Sequence, residues 1–362
     1  MFRSGENAST VIGRISFNGE PAPSLPTPNG LANPVDVAFD SLGNLWVVDG
    51  PNYRVLSYKP PFKDGMNADL VIGQPDFTTS TPIVSQSGLY NPIGIRFDPS
   101  GNLWVVDGTA DRVLEYSPPF SNGMNAILVI GQNSFTTDLS GIGQNGLDTP
   151  TRVAFDALGN LWLSDSANNR VLKFPRPFSN GMNADLVIGQ NSFVTSAPAT
   201  SQSGLQNPTS IAFDAHGNLW VADTGNIRVI KFTPPFISGM NAALVIGQNS
   251  FTTFTPATSQ SGLYYPSGIA FDKQGNLWVA DLSNNRVLRY PPPFTDGMPA
   301  DLVIGQNSFT TNARAAGKNG LDIPNAVAIG LDVKTQPFEE TLWVSDHGNA
   351  RVLEYRQAQL II

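Results

Sequence analysis

The sequence predicts an all-β fold, a six-bladed β-propeller of four-stranded antiparallel blades. Three observations carry the prediction. The six tryptophans, Trp46, Trp104, Trp162, Trp220, Trp278 and Trp343, recur every 58 residues, with one final gap of 65. Each repeat holds four short runs of β-branched and aromatic residues bounded by turn residues, as strands require. The run that carries the tryptophan, Leu103–Asp107 in the second repeat, is apolar at both alternating positions, the pattern of a strand buried on both faces. Self-similar four-stranded units of this kind stack radially. A helical repeat needs a 3.6-residue period, which is absent.

The second repeat shows each element in order. Strand A spans Pro92–Asp98, strand B Asn102–Asp107, strand C Arg112–Tyr116 and strand D Ile127–Gly131. Between A and B, an Asp-x-x-Gly-Asn element recurs from Asp40, Asp98, Asp156, Asp214 and Asp272. Its Asp starts an Asx-type turn and its Gly accepts positive φ, so it makes a tight hairpin. Between C and D, a Pro-Pro-Phe-x-x-Gly-Met-Asn-Ala segment recurs, with Pro175-Arg-Pro177 as its variant. Its phenylalanines, Phe62, Phe120, Phe178, Phe236 and Phe294, either pin the loop beneath the blade or form a ring of apolar pegs for a repetitive partner. The blades fall at about 30–77, 88–135, 146–193, 204–251, 262–309 and 320–362, in one domain covering residues 1–362. The sixth carries seven extra residues between Ile329 and Leu342, in its A–B hairpin. The N-terminal Asn7–Gly13 repeats the pattern of Asn67–Gly73, a strand D. A strand at 8–14 is therefore expected to complete blade six and close the ring, leaving no open edge. The rival is that Leu360–Ile362 supplies that strand.

Composition narrows the function. The 362 residues are 41% hydrophobic and 14% charged, with 21 Lys and Arg against 29 Asp and Glu and a net charge of −8. That apolar fraction supports a large core. No Lys/Arg cluster offers the basic stripe that phosphates need, so no nucleic-acid partner is expected. No apolar run approaches the ~20 residues that span a bilayer, so membrane insertion is not expected. Cysteine is absent, which removes disulfide frameworks, Cys-ligated zinc, Fe–S clusters and thiol nucleophiles. The first residues, Met-Phe-Arg-Ser-Gly-Glu, lack the apolar core of a signal peptide.

The phrase Gly-Asn-Leu-Trp-Val-Ala-Asp-x-x-Asn-x-Arg-Val, at Gly217–Val229 and Gly275–Val287, resembles the NHL repeat, as does the Asn-Pro-x-x-Ile-Ala-Phe-Asp pattern before it. The resemblance extends over nearly the whole chain and implies a six-bladed propeller of the NHL blade design. It does not choose a function. NHL-type propellers serve as protein- and RNA-binding platforms, and similar propellers are metal-dependent lactonases and lyases.

Polar residues that repeat in every blade read as scaffold. An Asp ends strand B and an Arg follows five residues later: Asp49/Arg54, Asp107/Arg112, Asp165/Arg170, Asp223/Arg228, Asp281/Arg286 and Asp346/Arg351. At the two ends of one short loop they are expected to form a bidentate clamp. Catalysis needs one asymmetric constellation, and six copies argue against that.

Function is sought where the period breaks. The A–B and C–D loops are nearly copied between blades. The B–C and D–A loops, on the opposite face, vary. On inner strand A, the Ala38 position reads Ala38, Arg96, Ala154, Ala212, Ala270, Ala328, and the Asp36 position reads Asp36, Gly94, Arg152, Ser210, Gly268, Ala326. Asp36, Arg96 and Arg152 thus lie on neighbouring strands, either as a charged channel lining for an anionic group or as a self-satisfied ion cluster. His347 is expected on the same loop face.

The lactonases that the resemblance brings in hold a metal through carboxylates and asparagines at the starts of inner strands. The matching positions are Val35, Ile93, Thr151, Thr209, Ser267 and Asn325, of which only Asn325 can ligate. A hard cation needs several oxygen ligands. The related amidating lyases hold zinc through several histidines, whereas this chain has His216 and His347, expected on opposite faces. The reading is a non-enzymatic binding scaffold without a cofactor. A ligand, or a protein or glycan partner, would sit on the B–C/D–A loop face over the central channel, near Asp36, Arg96, Arg152 and His347. The alternative is a metal-dependent hydrolase or lyase with a non-standard site, with calcium or another divalent ion near Asn325. An acidic chain with Ser/Thr/Asn-rich loops suits a monomer outside the cell or in the cell envelope.

Overall fold

The tryptophan strand, second from the axis, is the buried middle of every blade. Strand B runs Leu45–Asp49, Leu103–Asp107, Leu161–Asp165, Leu219–Asp223, Leu277–Asp281 and Glu339–Asp346, and in blades one to five each of its residues is buried. In the computed structural model, which describes residues 2–18, 23–332 and 339–357, these strands organise six sheets of four strands in a ring. Strand A of each blade (Pro34–Phe39, Pro92–Phe97, Pro150–Phe155, Pro208–Phe213, Pro266–Phe271 and Pro324–Asp332) meets strand A of the next around the axis. The A–B hairpin forms as its sequence dictates. Asp98 accepts backbone N–H bonds from Ser100 at 2.8 Å and Asn102 at 2.9 Å, and Gly101 turns with φ +85°.

Blade six is completed by the N-terminus. Thr10–Ile12 pairs antiparallel with strand C, Arg351–Arg356, in the register Thr10 to Glu354 and Ile12 to Val352. The rival strand, Leu360–Ile362, lies outside the described residues. The extra residues of this blade lengthen strands A and B, and residues 333–338 of the hairpin lie outside the described residues.

Aromatic wedges join the blades. Trp104 packs edge-on against Phe155 and Phe178 of the next blade, with centroids 5.8 and 4.9 Å away. Trp46, Trp162, Trp220 and Trp343 repeat the arrangement. The C–D phenylalanines therefore reach across to the preceding blade, not merely beneath their own. Each such pair contributes about 0.5–1.5 kcal/mol beyond its area burial. At Trp278 that place is taken by Phe2, edge-on at 5.2 Å. Phe2-Arg-Ser-Gly-Glu-Asn-Ala8 repeats the pattern of Phe62-Lys-Asp-Gly-Met-Asn-Ala68, so the N-terminus supplies the end of a C–D segment as well as a strand.

Candidate functional site

The repeated Asp–Arg pairs set the loops. All six form. Arg54 Nε lies 2.9 Å from Asp49 Oδ2, and Arg112 Nε 3.0 Å from Asp107 Oδ2. Arg170, Arg228 and Arg286 each place Nε 2.7 Å from Oδ2 of Asp165, Asp223 and Asp281, and Arg351 stands 2.6 Å from Asp346. All twelve side chains are fully buried.

The bidentate clamp expected from the sequence is corrected in every blade. Arg54, Arg170, Arg228, Arg286 and Arg351 use Nε alone on one carboxylate oxygen, and Arg112 brings Nε and Nη2 to the same oxygen. The reason is competition from backbone groups. The second carboxylate oxygen is taken by a D–A loop N–H, that of Ala32, Asn91, Asp148, Gln206, Tyr264 or Asp322, at 2.6 to 2.8 Å. The guanidinium tips are taken by carbonyls. Arg54 donates to Phe77 and Gly30, Arg112 to Phe135 and Gly88, and Arg170 to Phe193 and Gly146. Arg228 donates to Phe251 and Gly204, Arg286 to Phe309 and Gly262, and Arg351 to Phe17 and Gly320. Each arginine thereby ties its B–C loop to the segments that enter and leave the blade. This reach positions the whole variable face.

The inner strands separate the other candidates. Arg152 crosses the channel, and its Nε lies 3.1 Å from Asp36 Oδ2, with both side chains buried. Its Nη2 donates to the Val35 carbonyl at 2.8 Å and to Asn325 Oδ1 at 3.2 Å, and its Nη1 to the carbonyls of Thr151 and Ile93. Asp36 also accepts the N–H groups of Val37 and Ile95, each at 2.9 Å. One guanidinium thus joins blade three to blades one, two and six in a self-satisfied cluster. Gly94 makes room for it: a Cβ there would stand 2.3 Å from the Thr151 carbonyl oxygen and 3.1 Å from Arg152 Cδ. The Asn325 oxygen faces Arg152 and also accepts from Ser267 Oγ at 3.2 Å.

Arg96 sits two residues further along its strand, roughly 7 Å down the channel. It is half-buried, and its Nη1 lies 3.4 and 3.5 Å from the Ile95 and Val37 carbonyls. It faces the opposite mouth of the channel. His347 belongs to the B–C/D–A face. It lines a groove of about 520 Å³ over blades one, two and six, with Tyr53, Tyr90, Asn91 and Thr109. Burial holds its imidazole below the ordinary value, against the hydrogen bond from Nδ1 to the Pro34 carbonyl at 3.2 Å. The four candidates therefore occupy three places: a sealed pair, a lower cation and a groove wall. His216 lies in the A–B turn of blade four. Among the described residues, no group of three or more His, Cys, Asp or Glu is placed to hold a metal ion.

Two groove residues, Tyr53 and Tyr90, lie outside the set that the broken period predicts. Tyr53 stands where the other B–C loops carry Asp111, Asn169, Ile227, Asn285 and Ala350. Its φ of 54° directs the loop end as theirs do. Tyr90 is 40% exposed and Asn91 Nδ2 donates to Thr109 Oγ1 at 2.9 Å.

Comparison with known proteins agrees with this architecture. The NHL repeat model matches residues 205–232 and 263–290, in blades four and five. The chain is thus a six-bladed β-propeller with NHL repeats in blades four and five. Human Teneurin-4 is 28% identical over 237 residues, which is 58% of this chain and 8% of that protein. Peptidyl-glycine alpha-amidating monooxygenase B of Xenopus laevis is 27% identical over 209 residues, 54% of this chain and 22% of that protein. The matched segment is thus less than a quarter of either curated relative. Among solved structures, an auxiliary nutrient binding protein from Bacteroides ovatus superposes with a TM-score of 0.61 at 12% identity, covering 99% of this chain and 78% of that one. An inactive virginiamycin B lyase from Staphylococcus aureus gives 0.51 at 12% identity, covering 92% and 83%. At such identities the likeness is one of fold.

Proposed function

We propose that the protein is a non-enzymatic binding scaffold whose protein or glycan partner seats in the groove over blades one, two and six. The observation that carries this is where the groove's polar and aromatic residues come from. Tyr53, Tyr90, Asn91, Thr109 and His347 all belong to B–C or D–A loops, the segments that depart from the repeat. Tyrosine faces beside amide and hydroxyl groups suit a sugar ring or an extended peptide. Loops held by a rigid scaffold are where such sites form. A location outside the cell or in the cell envelope fits the acidic composition, and among the described residues no helix is long and apolar enough to cross a membrane.

The test is a glycan array and a peptide library screened with purified protein, followed by titration of the best binder. Tyr90→Ala and Tyr53→Ala are expected to weaken binding by at least about tenfold, the effect of losing one aromatic anchor. Unchanged affinity in both variants would overturn the placement. A second reading, a lyase, draws on the 29% identity over 126 residues to peptidyl-alpha-hydroxyglycine alpha-amidating lyase 1 of Drosophila melanogaster. It would require a stoichiometric divalent ion in the purified protein and turnover that a chelator abolishes.

A further inference from the structure

The lower mouth of the channel, on the A–B face, holds a cavity of about 530 Å³ that the loop-face groove does not touch. Its walls are the phenylalanines that end strand A, Phe39, Phe97, Phe155, Phe213 and Phe271, above a layer of alanines. Arg96 replaces an alanine in that layer and, among the described residues, is the one arginine or lysine on the wall. Asp36 is matched by Arg152, so the channel cluster of three charges keeps one positive charge, that of Arg96. Among the described residues no ion pair joins Arg96 to a carboxylate, and its contacts to carbonyls are 3.4 Å or longer. The carboxylates at the rim are committed elsewhere. Asp98 accepts from Ser100, Asn102 and the Trp104 indole, and Asp156 from Leu158, Asn160 and the Trp162 indole.

We propose that this cup binds a small amphiphile with one carboxylate and an apolar body, the carboxylate on Arg96 and the body against the phenylalanine ring. A half-buried guanidinium that no carboxylate pairs with gains a charge-assisted hydrogen bond from an incoming anion. The volume is within the range of roughly 300–1,000 Å³ typical of small-molecule sites. The apolar wall and the single cation together select the ligand class. A polyanion would meet only one arginine, and a neutral lipid would leave that arginine unpaired.

Octanoate and 1-octanol, which share a tail and differ in charge, are the probes, titrated by calorimetry. Wild-type protein is expected to bind octanoate saturably and to prefer it to octanol by roughly 10- to 100-fold, the value of a hydrogen-bonded charge. Arg96→Ala restores the residue that five blades already carry, so the fold is kept, and octanoate should fall to the octanol level. Ala270→Phe fills the cup and should weaken both ligands. Failure of wild-type protein to bind octanoate, as when the cup instead receives an acidic side chain of a partner protein, would overturn the assignment. So would an Arg96→Ala variant that binds octanoate as tightly as wild type.

Discussion

Replacing Asp111 by asparagine should stabilise the protein above pH 6 and leave it little changed near pH 4. Asp111 ends the B–C loop of blade two, with φ 48° and 6% of its surface exposed. Its Oδ1 accepts the Thr149 N–H of blade three at 2.7 Å, a latch between neighbouring blades. Blades three and five make the same latch with an amide. There Asn169 and Asn285 accept from Asn207 and Ile323, and their Nδ2 groups donate to the carbonyls of Ser196 and Asn312, each at 2.9 Å. In the 58-residue register the matching carbonyl in blade two is that of Asp138. An ionised Asp111 has no proton to give it. Burial, opposed by the Thr149 N–H and reinforced by the carboxylates of Asp148, Asp165 and Asp138, pushes the Asp111 carboxyl from 3.8 up to about 6. The folded state therefore holds this proton more tightly than the unfolded chain. Stability falls as pH rises from about 4 to about 6, and the loss is complete above that. At 1.36 kcal/mol per pH unit the ceiling is about 3 kcal/mol, and screening of a partly hydrated carboxyl reduces the expected gain to about 1–2 kcal/mol. Urea unfolding followed by tryptophan fluorescence at pH 4, 6 and 8 measures it. Asp111→Asn should match wild type at pH 4 and exceed it at pH 6.5 and above. A variant less stable than wild type at pH 8, or a difference that does not change between pH 4 and 7, would refute the reasoning.

Other expectations rest on the same contacts. Arg112→Ala leaves Asp107 buried beside orphaned carbonyls and should cost about 3–5 kcal/mol in urea unfolding. Arg152→Ala should cost more than the double change Asp36→Ala/Arg152→Ala, because the single change leaves a buried carboxylate without its cation; a double-mutant cycle reads the difference. Tyr116→Phe should lie within about 1 kcal/mol of wild type or above it, since among the described residues the buried Tyr116 hydroxyl has no hydrogen-bond partner, and Phe174 and Phe232 already occupy that position in blades three and four; thermal melting checks it.

The architecture is legible because each blade restates the last. A hairpin signal as short as Asp98-x-x-Gly-Asn102 is weak alone, but five copies at a fixed spacing make it decisive. The strand boundaries read from blade two fall within a residue or two of Pro92–Phe97, Leu103–Asp107, Arg112–Tyr116 and Leu128–Ile130. What escapes the sequence is direction and reach. The spacing of Asp107 and Arg112 predicts that they pair, but not that backbone groups from neighbouring loops claim the remaining atoms of both. Arg96 and Arg152 lie on adjacent inner strands two positions apart, which the pattern shows. The pattern does not show that Arg152 stretches across the axis to Asn325, or that Arg96 is left to the other mouth. Long flexible side chains choose partners that are 59 to 173 residues away, and local periodicity carries no information about such choices. The role of Phe2 is readable in principle, because its Phe-x-x-Gly spacing repeats that of Phe62.

The strand that closes the ring also sets an order of events. Thr10–Ile12 meets Arg351–Arg356 across some 340 residues of chain, and Phe2 reaches Trp278 across 276. Blades one to five contain all four of their strands in sequence and can form as synthesis proceeds, each on the one before. Blade six cannot. Its outer strand precedes the rest of the propeller in the chain and its partner comes last, so the segment before residue 13 must wait unpaired while everything between is built. The joining of distant segments is slow in proportion to the chain entropy it removes. Until it happens, both strand C of blade six and the uncovered indole of Trp278 offer edges to other chains. The seam that closes the finished ring is thus the point at which a half-made molecule is open to capture, by a chaperone or by its own neighbours on the same message.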